Sequence, residues 1–370
     1  MTATRTIVFR ADSSVQIGTG HVMRCLTLAD ALNARGHSCH FICREHTGNL
    51  IERIRSQGCA VHALPDLSGH TVDNGDGAAH ANWLGAPWRT DAQKTREILS
   101  TLDPAWLIVD HYALAARWEN SVRSEVGRLL VIDDLADRAH DANILLDQNL
   151  GRDAQDYAGI VPSHCELLIG PSYALLRPEF AQLREDSYQR RPSRRLARLL
   201  VSMGGVDKDD ATGKVLDVLR HCVLPPNTQI DVVMGRNAPW LEKVLLQANA
   251  MPWPTRVRVD TPDMARYMAE ADLAIGAAGS TAWERCSAGL PSLIVLVAEN
   301  QREGACALEN SGAASVVGGI ADITLKLPQM LEKLTAPETL SAMSKASSSI
   351  TDGLGTARVV ESMYRHKHAD

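Results

Sequence analysis

The sequence predicts an α/β protein of two doubly wound, Rossmann-like domains facing each other across a cleft, and three observations carry that expectation. Short apolar runs alternate with helix-period segments, and the whole alternation restarts near residue 199. The runs Trp106–Asp110, Leu129–Asp133 and Ile144–Asp147 are apolar on consecutive residues, as in strands buried on both faces of a parallel sheet. Between the two alternations, residues 184–198 are charged, carry Pro192 and lack apolar periodicity, so they read as a solvated interdomain linker. The expected boundaries are 1–183 for the first domain, 184–198 for the linker, 199–355 for the second domain and 356–370 for a C-terminal helix and tail. At 370 residues each domain is long enough to bury its own core.

Composition removes several function classes. A formal net charge of −6 and a pI near 6.1 argue against nucleic acid or an anionic membrane as the main partner. The arginines at 190, 191, 194 and 195 have no aromatic platform beside them, which also reads as a linker rather than a nucleic-acid surface. No apolar run approaches the ~20 residues of a membrane span, and the chain opens on a strand with no secretory signal, so a cytoplasmic protein is expected. The 8 cysteines are scattered, without the density of a disulfide framework. Cys39-His40 and Cys43…His46 have no second ligand pair, and neighbours on a strand point to opposite faces, so no metal is expected there.

Taken in order, Ile7-Val8-Phe9 forms the first strand and the segment through Leu26, Leu28, Ala29, Ala31 and Leu32 the first helix. Strands follow at Ser38–Cys43 and Val61–Leu64, with a helix Leu50–Arg55 between them. Residues Pro65–Thr90, rich in Gly, Asp, Asn and His, read as either a lid over a ligand or an insertion. A helix is expected over Lys94–Leu102, then the three aspartate-terminated strands and Glu166–Ile169. The second half places strands at 199–203, 230–234, 257–259, 273–275 and 292–297, with helices Ala211–Leu219 and Asp263–Ala269. Most of the aspartates at strand ends are expected to cap helices, and the adjacent pairs Asp133-Asp134 and Asp209-Asp210 to be solvated or capping.

Two stretches carry chemistry. In the first, Arg10-Ala11-Asp12 leads into Gly18-Thr19-Gly20-His21, with Arg24 one turn further on. Gly18 and Gly20 allow a tight turn and a close ligand approach, and the orphan N–H groups of a helix start favour an anion. The same field disfavours an imidazolium at His21, which suits a general base. The alternative is an ordinary turn with a surface histidine. The dinucleotide fingerprint is incomplete, because its third glycine would fall at Met23, so a nicotinamide enzyme is disfavoured. Arg24 reads either as a phosphate ligand or as the partner of a carboxylate such as Asp12, with the structural role preferred. In the second stretch, Gly276 to Glu284, a helix beginning at Ser280 or Thr281 could hold a diphosphate, with Glu284 on ribose hydroxyls. The competing reading is a capping box, Thr281-x-x-Glu284. Gly204-Gly205 forms the corresponding glycine turn after the first strand of the second half.

Arg10-x-Asp12-x5-Gly18-x-Gly20-His21-x2-Arg24, then Asp110-His111-Tyr112, Gly279-Ser280-x3-Glu284 and Asn300-Gln301, resembles the UDP-2,4-diacetamido-2,4,6-trideoxy-β-L-altropyranose hydrolases of the pseudaminic acid pathway. The resemblance spans most of the chain and departs from the family in the Pro65–Thr90 segment and beyond Val317. It implies a GT-B fold, like that of the peptidoglycan-pathway N-acetylglucosaminyltransferase. It also implies a catalytic role for His21, with Tyr112 and Asn300 converging on the sugar. Substrate-binding positions would be Gly18, Gly20, Arg24, Gly204, Gly205, Gly279, Ser280, Thr281, Glu284 and Gln301. The expected activity is inverting, metal-independent hydrolysis of a UDP-sugar by water attack on the anomeric carbon. The alternatives are a GT-B glycosyltransferase with a UDP-sugar donor and a non-catalytic sugar-nucleotide-binding protein. No cofactor is expected, and the partner is the UDP-sugar itself, with the chain a monomer or a weak homo-oligomer.

Overall fold

The computed structural model describes residues 4–67, 80–191, 195–334 and 336–366. Part of the expected lid or insertion, residues 68–79, lies outside the described residues, as do 192–194 of the expected linker and 367–370 of the expected tail. The chain divides into two compact units, residues 1–175 with 356–370, and residues 176–355.

The first unit is built on a seven-stranded parallel sheet: β1 Thr6–Ala11, β2 Ser38–Arg44, β3 Ala60–Leu64, β4 Trp106–Asp110, β5 Arg128–Ile132, β6 Ile144–Asp147 and β7 Glu166–Ile169. Their order is β3-β2-β1-β4-β5-β6-β7. Alternation along each strand feeds two separate cores. Ile7 and Phe9 of β1 join Ile108 of β4 and the helix residues Leu26, Leu28 and Leu32 on one face. Val8 joins Leu107, Val109, Leu99 and Trp118 on the other. Each such side chain contributes roughly 1.5–3 kcal/mol by leaving water. The terminal helix Gly355–Arg365 returns to this unit and buries Val359, Val360 and Met363 in the first core.

The second unit repeats the design with six parallel strands: β8 Arg198–Ser202, β9 Gln229–Met234, β10 Thr255–Val259, β11 Leu273–Ala277, β12 Ser292–Leu296 and β13 Ala314–Gly319. Their order, β10-β9-β8-β11-β12-β13, is that of the first sheet without its last strand. The sequence reading contains every strand except β13, whose pairing with β12 slips by one residue between Ile294 and Val295. It also starts the helix Trp88–Leu102 six residues late, because Pro87 and Trp88 read as loop.

Within the expected linker, residues 184–191 are not a solvated connection. Arg184–Gln189 is helical and belongs to the second unit, which begins at Leu176. Arg190 donates to the carbonyls of Ala269 and Glu270 at 2.8 and 2.6 Å, and buried Arg191 to those of Met268 and Ala288. Three of these carbonyl groups, those of Met268, Ala269 and Glu270, lie in the C-terminal turn of the helix Met264–Glu270, where cations are favoured by the dipole. Charge at high density thus reads as solvated although it is consumed by backbone oxygens.

Candidate functional site

In an open parallel sheet, ligands bind beyond the carboxyl ends of the strands where the strand order reverses. In the first unit that point lies between β1 and β4, and the loops leaving those two strands carry residues 12–19 and 111–115. In the second it lies between β8 and β11, whose loops carry Gly204-Gly205 and Ala278-Gly279-Ser280. Both stretches singled out in the sequence therefore sit at a switch point of their own sheet.

At the first switch point, the loop after β1 is held by its own groups. Ser14 Oγ accepts the N–H groups of Gln16 and Ile17 at 3.1 and 2.9 Å, and Ser14 O accepts that of Gly18 at 2.9 Å. Gly18 has φ +81° with open space where a Cβ would stand, so the position demands glycine for its backbone and not for lack of room. The helix Gly20–Asn33 then begins with no side chain capping it. His21 lies in its first turn and is 8% exposed. Its Nδ1 stands 2.6 Å from Asp110 Oδ1, at the end of β4. Arg24 grips the same carboxylate with two hydrogen bonds, Nε to Oδ2 at 2.6 Å and Nη2 to Oδ1 at 2.7 Å. Its remaining Nη1 pairs with Asp134 at 2.7 Å, and Tyr112 donates its hydroxyl to the same Asp134 oxygen at 2.9 Å. Burial raises the cost of charge on Asp110, but the Arg24 guanidinium and His21 outweigh it and hold the carboxyl well below its usual range. An ionised Asp110 only accepts, so Nδ1 of His21 is the donor in this pair, and in the neutral imidazole the lone pair then sits on Nε2.

The expected Arg24–Asp12 pair is not formed; Asp12 belongs to a second buried network beneath the site. Arg10 bridges Asp12 at 2.7 Å and Asp91 at 2.8 Å, and Asp91 also takes Arg44 and Trp118 Nε1. His111 Nε2 stands 3.3 Å from Asp12. All five titratable members are essentially buried, so each carboxylate depends on its guanidinium partner. Asp133 and Asp134 are not a solvated pair either. Asp133 takes Arg138 at 2.8 Å and Tyr157 at 3.1 Å. Tyr157 also donates to Asp147 at 2.9 Å, and burial together with the charge of Asp134 pushes the Asp147 carboxyl up to about 7.

The second switch point is organised differently. Gly204 has φ +95° and open space on its Cβ side, while the Gly205 carbonyl packs so closely on Gly235 that a Cβ there would fall 2.1 Å from it. The following helix Ala211–Leu219 does not offer an open start: Asp207 accepts from the Ala211 and Thr212 N–H groups, both at 2.9 Å. After β11, a Cβ on Gly279 would meet only Gln301 Nε2, at 3.7 Å. The helix Thr281–Ser287 starts at Ser280 without a side-chain cap, so the capping box is absent and Glu284 is not spent on it. Glu284 is half-buried, and burial pushes its carboxyl up to about 7 against the pull of Arg177 and Arg285. Arg285 is buried and donates to Ala277 O at 2.7 Å and Ser292 Oγ at 3.1 Å, neither of them a carboxylate. Asn300 is exposed, and Gln301 is half-buried with its carbonyl oxygen 3.4 Å from the Val297 N–H.

The structure thus brings His21, Arg24 and Tyr112 together through Asp110 and Asp134. Sequence reasoning gave neither aspartate a place in the site: Asp110 entered only through its motif with His111 and Tyr112, and Asp134 was read as solvated or capping, although the termination of β4 in Asp110 was the available signal. Among the described residues no group of three His, Cys, Asp or Glu side chains is arranged to hold a metal ion, and no helix is long and apolar enough to cross a membrane.

Residues 215–357, nearly all of them in the second unit, match the family described as "Glycosyltransferase family 28 C-terminal domain". The chain is 28% identical over 275 residues to the UDP-2,4-diacetamido-2,4,6-trideoxy-beta-L-altropyranose hydrolase of Campylobacter jejuni, covering 74% of this chain and 85% of that one. Among solved structures it is similar to MurG of Acinetobacter baumannii, with a TM-score of 0.66 and 17% identity over 98% of this chain and 100% of that one. It is also similar to LpCGTa, determined in complex with UDP, with a TM-score of 0.60 and 14% identity over 98% and 99% of the two chains. These likenesses establish the fold class: two parallel α/β sheets of the GT-B type.

Proposed function

We propose that the protein is a hydrolase that removes UDP from a UDP-linked diacetamido-trideoxy sugar, a step of pseudaminic (nonulosonic) acid biosynthesis. The observation that carries the reading is the His21–Asp110–Arg24 arrangement at the first switch point. It is supported by the family 28 domain in the second unit and by the name of the Campylobacter relative.

In this reading the second unit holds UDP. The backbone N–H groups at Ser280-Thr281 take diphosphate oxygens, Glu284 takes ribose hydroxyls, and Gly204, Gly205 and Gly279 leave the backbone accessible. The helix Thr281–Ser287 is only seven residues long, so its own dipole is modest and Arg285 beneath the loop supplies added positive charge. His21 Nε2 removes a proton from water as the water oxygen bonds to the anomeric carbon. The bond from that carbon to the phosphate oxygen breaks, and its electron pair leaves with UDP. Attack opposite the leaving group inverts the anomeric centre. The proton on His21 Nδ1 is held by Asp110, whose negative charge stabilises the imidazolium that forms. Such acid–base help is worth roughly 10²–10⁴-fold. UDP departs without a protonating carboxylic acid, unlike the alcohol leaving groups of ordinary glycosidases.

Incubation with UDP-2,4-diacetamido-2,4,6-trideoxy-β-L-altropyranose in ¹⁸O-labelled water, followed by NMR and mass analysis, tests this. Free sugar of inverted configuration, with the label on the sugar and not on UDP, is expected. The family 28 domain also favours a second reading, transfer of the sugar to an acceptor hydroxyl. Absence of sugar release until an acceptor is added would decide for that reading.

A further inference from the structure

Tyr112 is the aromatic residue that sequence reasoning places on the sugar, yet little of it is accessible. It is 6% exposed and its hydroxyl is committed to Asp134. One edge meets the His21 ring at 4.6 Å, and the rest of the ring is covered by His80 at 5.3 Å, Trp83 at 5.8 Å and the Arg138 guanidinium at 5.9 Å. His80 and Trp83 are themselves half-exposed and lie 4.3 Å apart. Burial pushes the His80 imidazolium down, and the nearby Arg138 and His21 add to that shift.

These two rings are held in place. Trp83 N–H donates to His80 O at 2.9 Å, closing a 3-10 turn over Ala81–Leu84. Leu84 is buried in the core face that contains Trp118. Gly85 follows with φ +64° against the His46 ring, where a Cβ would fall 2.4 Å from Cε1, and its carbonyl accepts from Leu67 N–H at 2.8 Å. A turn anchored through Leu84 and Gly85 costs less ordering entropy when a ligand meets it.

We propose that His80 and Trp83 form the wall of a sugar subsite beside His21, Trp83 taking the apolar face of a pyranose ring and His80 a polar substituent. Tyr112 is then a positioning residue: it backs the wall with its ring and fixes Asp134 with its hydroxyl. A flat ring with a polar edge suits a ligand with one apolar face and one hydrogen-bonding rim. The inference rests on the UDP-sugar reading above and adds to it the element that selects the sugar.

The test uses the full chain with the changes Trp83→Ala, Trp83→Phe and His80→Ala. Steady-state kinetics with UDP-2,4-diacetamido-2,4,6-trideoxy-β-L-altropyranose are set beside competitive inhibition by UDP. For Trp83→Ala, KM is expected to rise about tenfold with the UDP inhibition constant unchanged, and Trp83→Phe to restore KM to within about threefold of the native value. His80→Ala is expected to raise KM by a smaller factor, again without effect on UDP. A KM unmoved in both alanine variants, or one that moves in step with the UDP constant, overturns the wall while leaving the hydrolase reading standing. If the native chain neither binds UDP nor releases the sugar, the hydrolase reading fails and this subsite falls with it.

Discussion

The two switch points share a topology and differ in how they treat charge. Around His21 the carboxylates Asp110 and Asp134 are joined by the single guanidinium of Arg24, and the layer beneath repeats the device with Arg10, Arg44, Asp12 and Asp91. Around Gly279 the carboxylate of Glu284 has no hydrogen-bond partner among the described residues, and Arg285 spends its donors on a carbonyl and hydroxyls. Paired buried charges have one low-energy arrangement, so the first edge holds a side chain in a fixed orientation. Unpaired groups at a half-exposed edge are available to a ligand. In the function proposed above, the same fold would supply a preorganised reacting group on one sheet and a receptive edge on the other.

The largest effect should come from breaking the first edge at its reactive member. His21→Ala is expected to lower kcat by about 10³-fold while UDP affinity, measured by calorimetry, stays within about twofold. A parallel loss of UDP affinity would sink the division of labour between the edges. Asp110→Asn should come next. It removes the acceptor that sets the His21 tautomer and leaves Arg24 with one carboxylate, so kcat should fall about 10²-fold and unfolding free energy by roughly 3 kcal/mol. Denaturant titration and kinetics on the same preparation separate the two losses.

Asp147 sharpens the comparison, being, among the described residues, the buried carboxyl of the first unit that is pushed up and not down, to about 7. Its folded value lies above its unfolded value near ~4, so the folded state holds the proton. The stability it contributes is complete below about pH 4 and is lost as pH rises through about 7. Between pH 5 and 8 the native chain should therefore lose on the order of 2 kcal/mol more stability than Asp147→Asn, read from denaturant midpoints at each pH. Asp110 acts with the opposite sign: its folded value is depressed, so its contribution is present above its unfolded value and disappears on acidification. The smallest effect is expected at the second edge. Glu284→Ala should weaken UDP about tenfold, with kcat at saturating substrate nearly unchanged and inorganic pyrophosphate binding unaffected.

How much of this was legible in the sequence follows from the range of the forces involved. Strand positions were readable because consecutive apolar residues such as Trp106–Val109 require burial on both faces. The placement of His21 in a first helical turn was readable from Gly18, Gly20 and the apolar period that follows. β13 was not, since Gly318 and Gly319 interrupt its apolar run. Arg191 was misread because a guanidinium satisfied by carbonyl oxygens looks, in sequence, like one satisfied by water.

The sequence by itself determined the alternation of strands and helices, the two glycine-bearing loops and the histidine at a helix start, all of which depend on residues within a few positions of one another. Only the tertiary structure decided which charges pair. Arg24 finds Asp110 across 86 positions, not nearby Asp12, and Glu284 is left without the cap that Thr281-x-x-Glu284 suggests. The physical reason is that an ion pair or an orphaned carboxylate is settled by distance and burial in the folded chain, and neither is written in the spacing of residues along it.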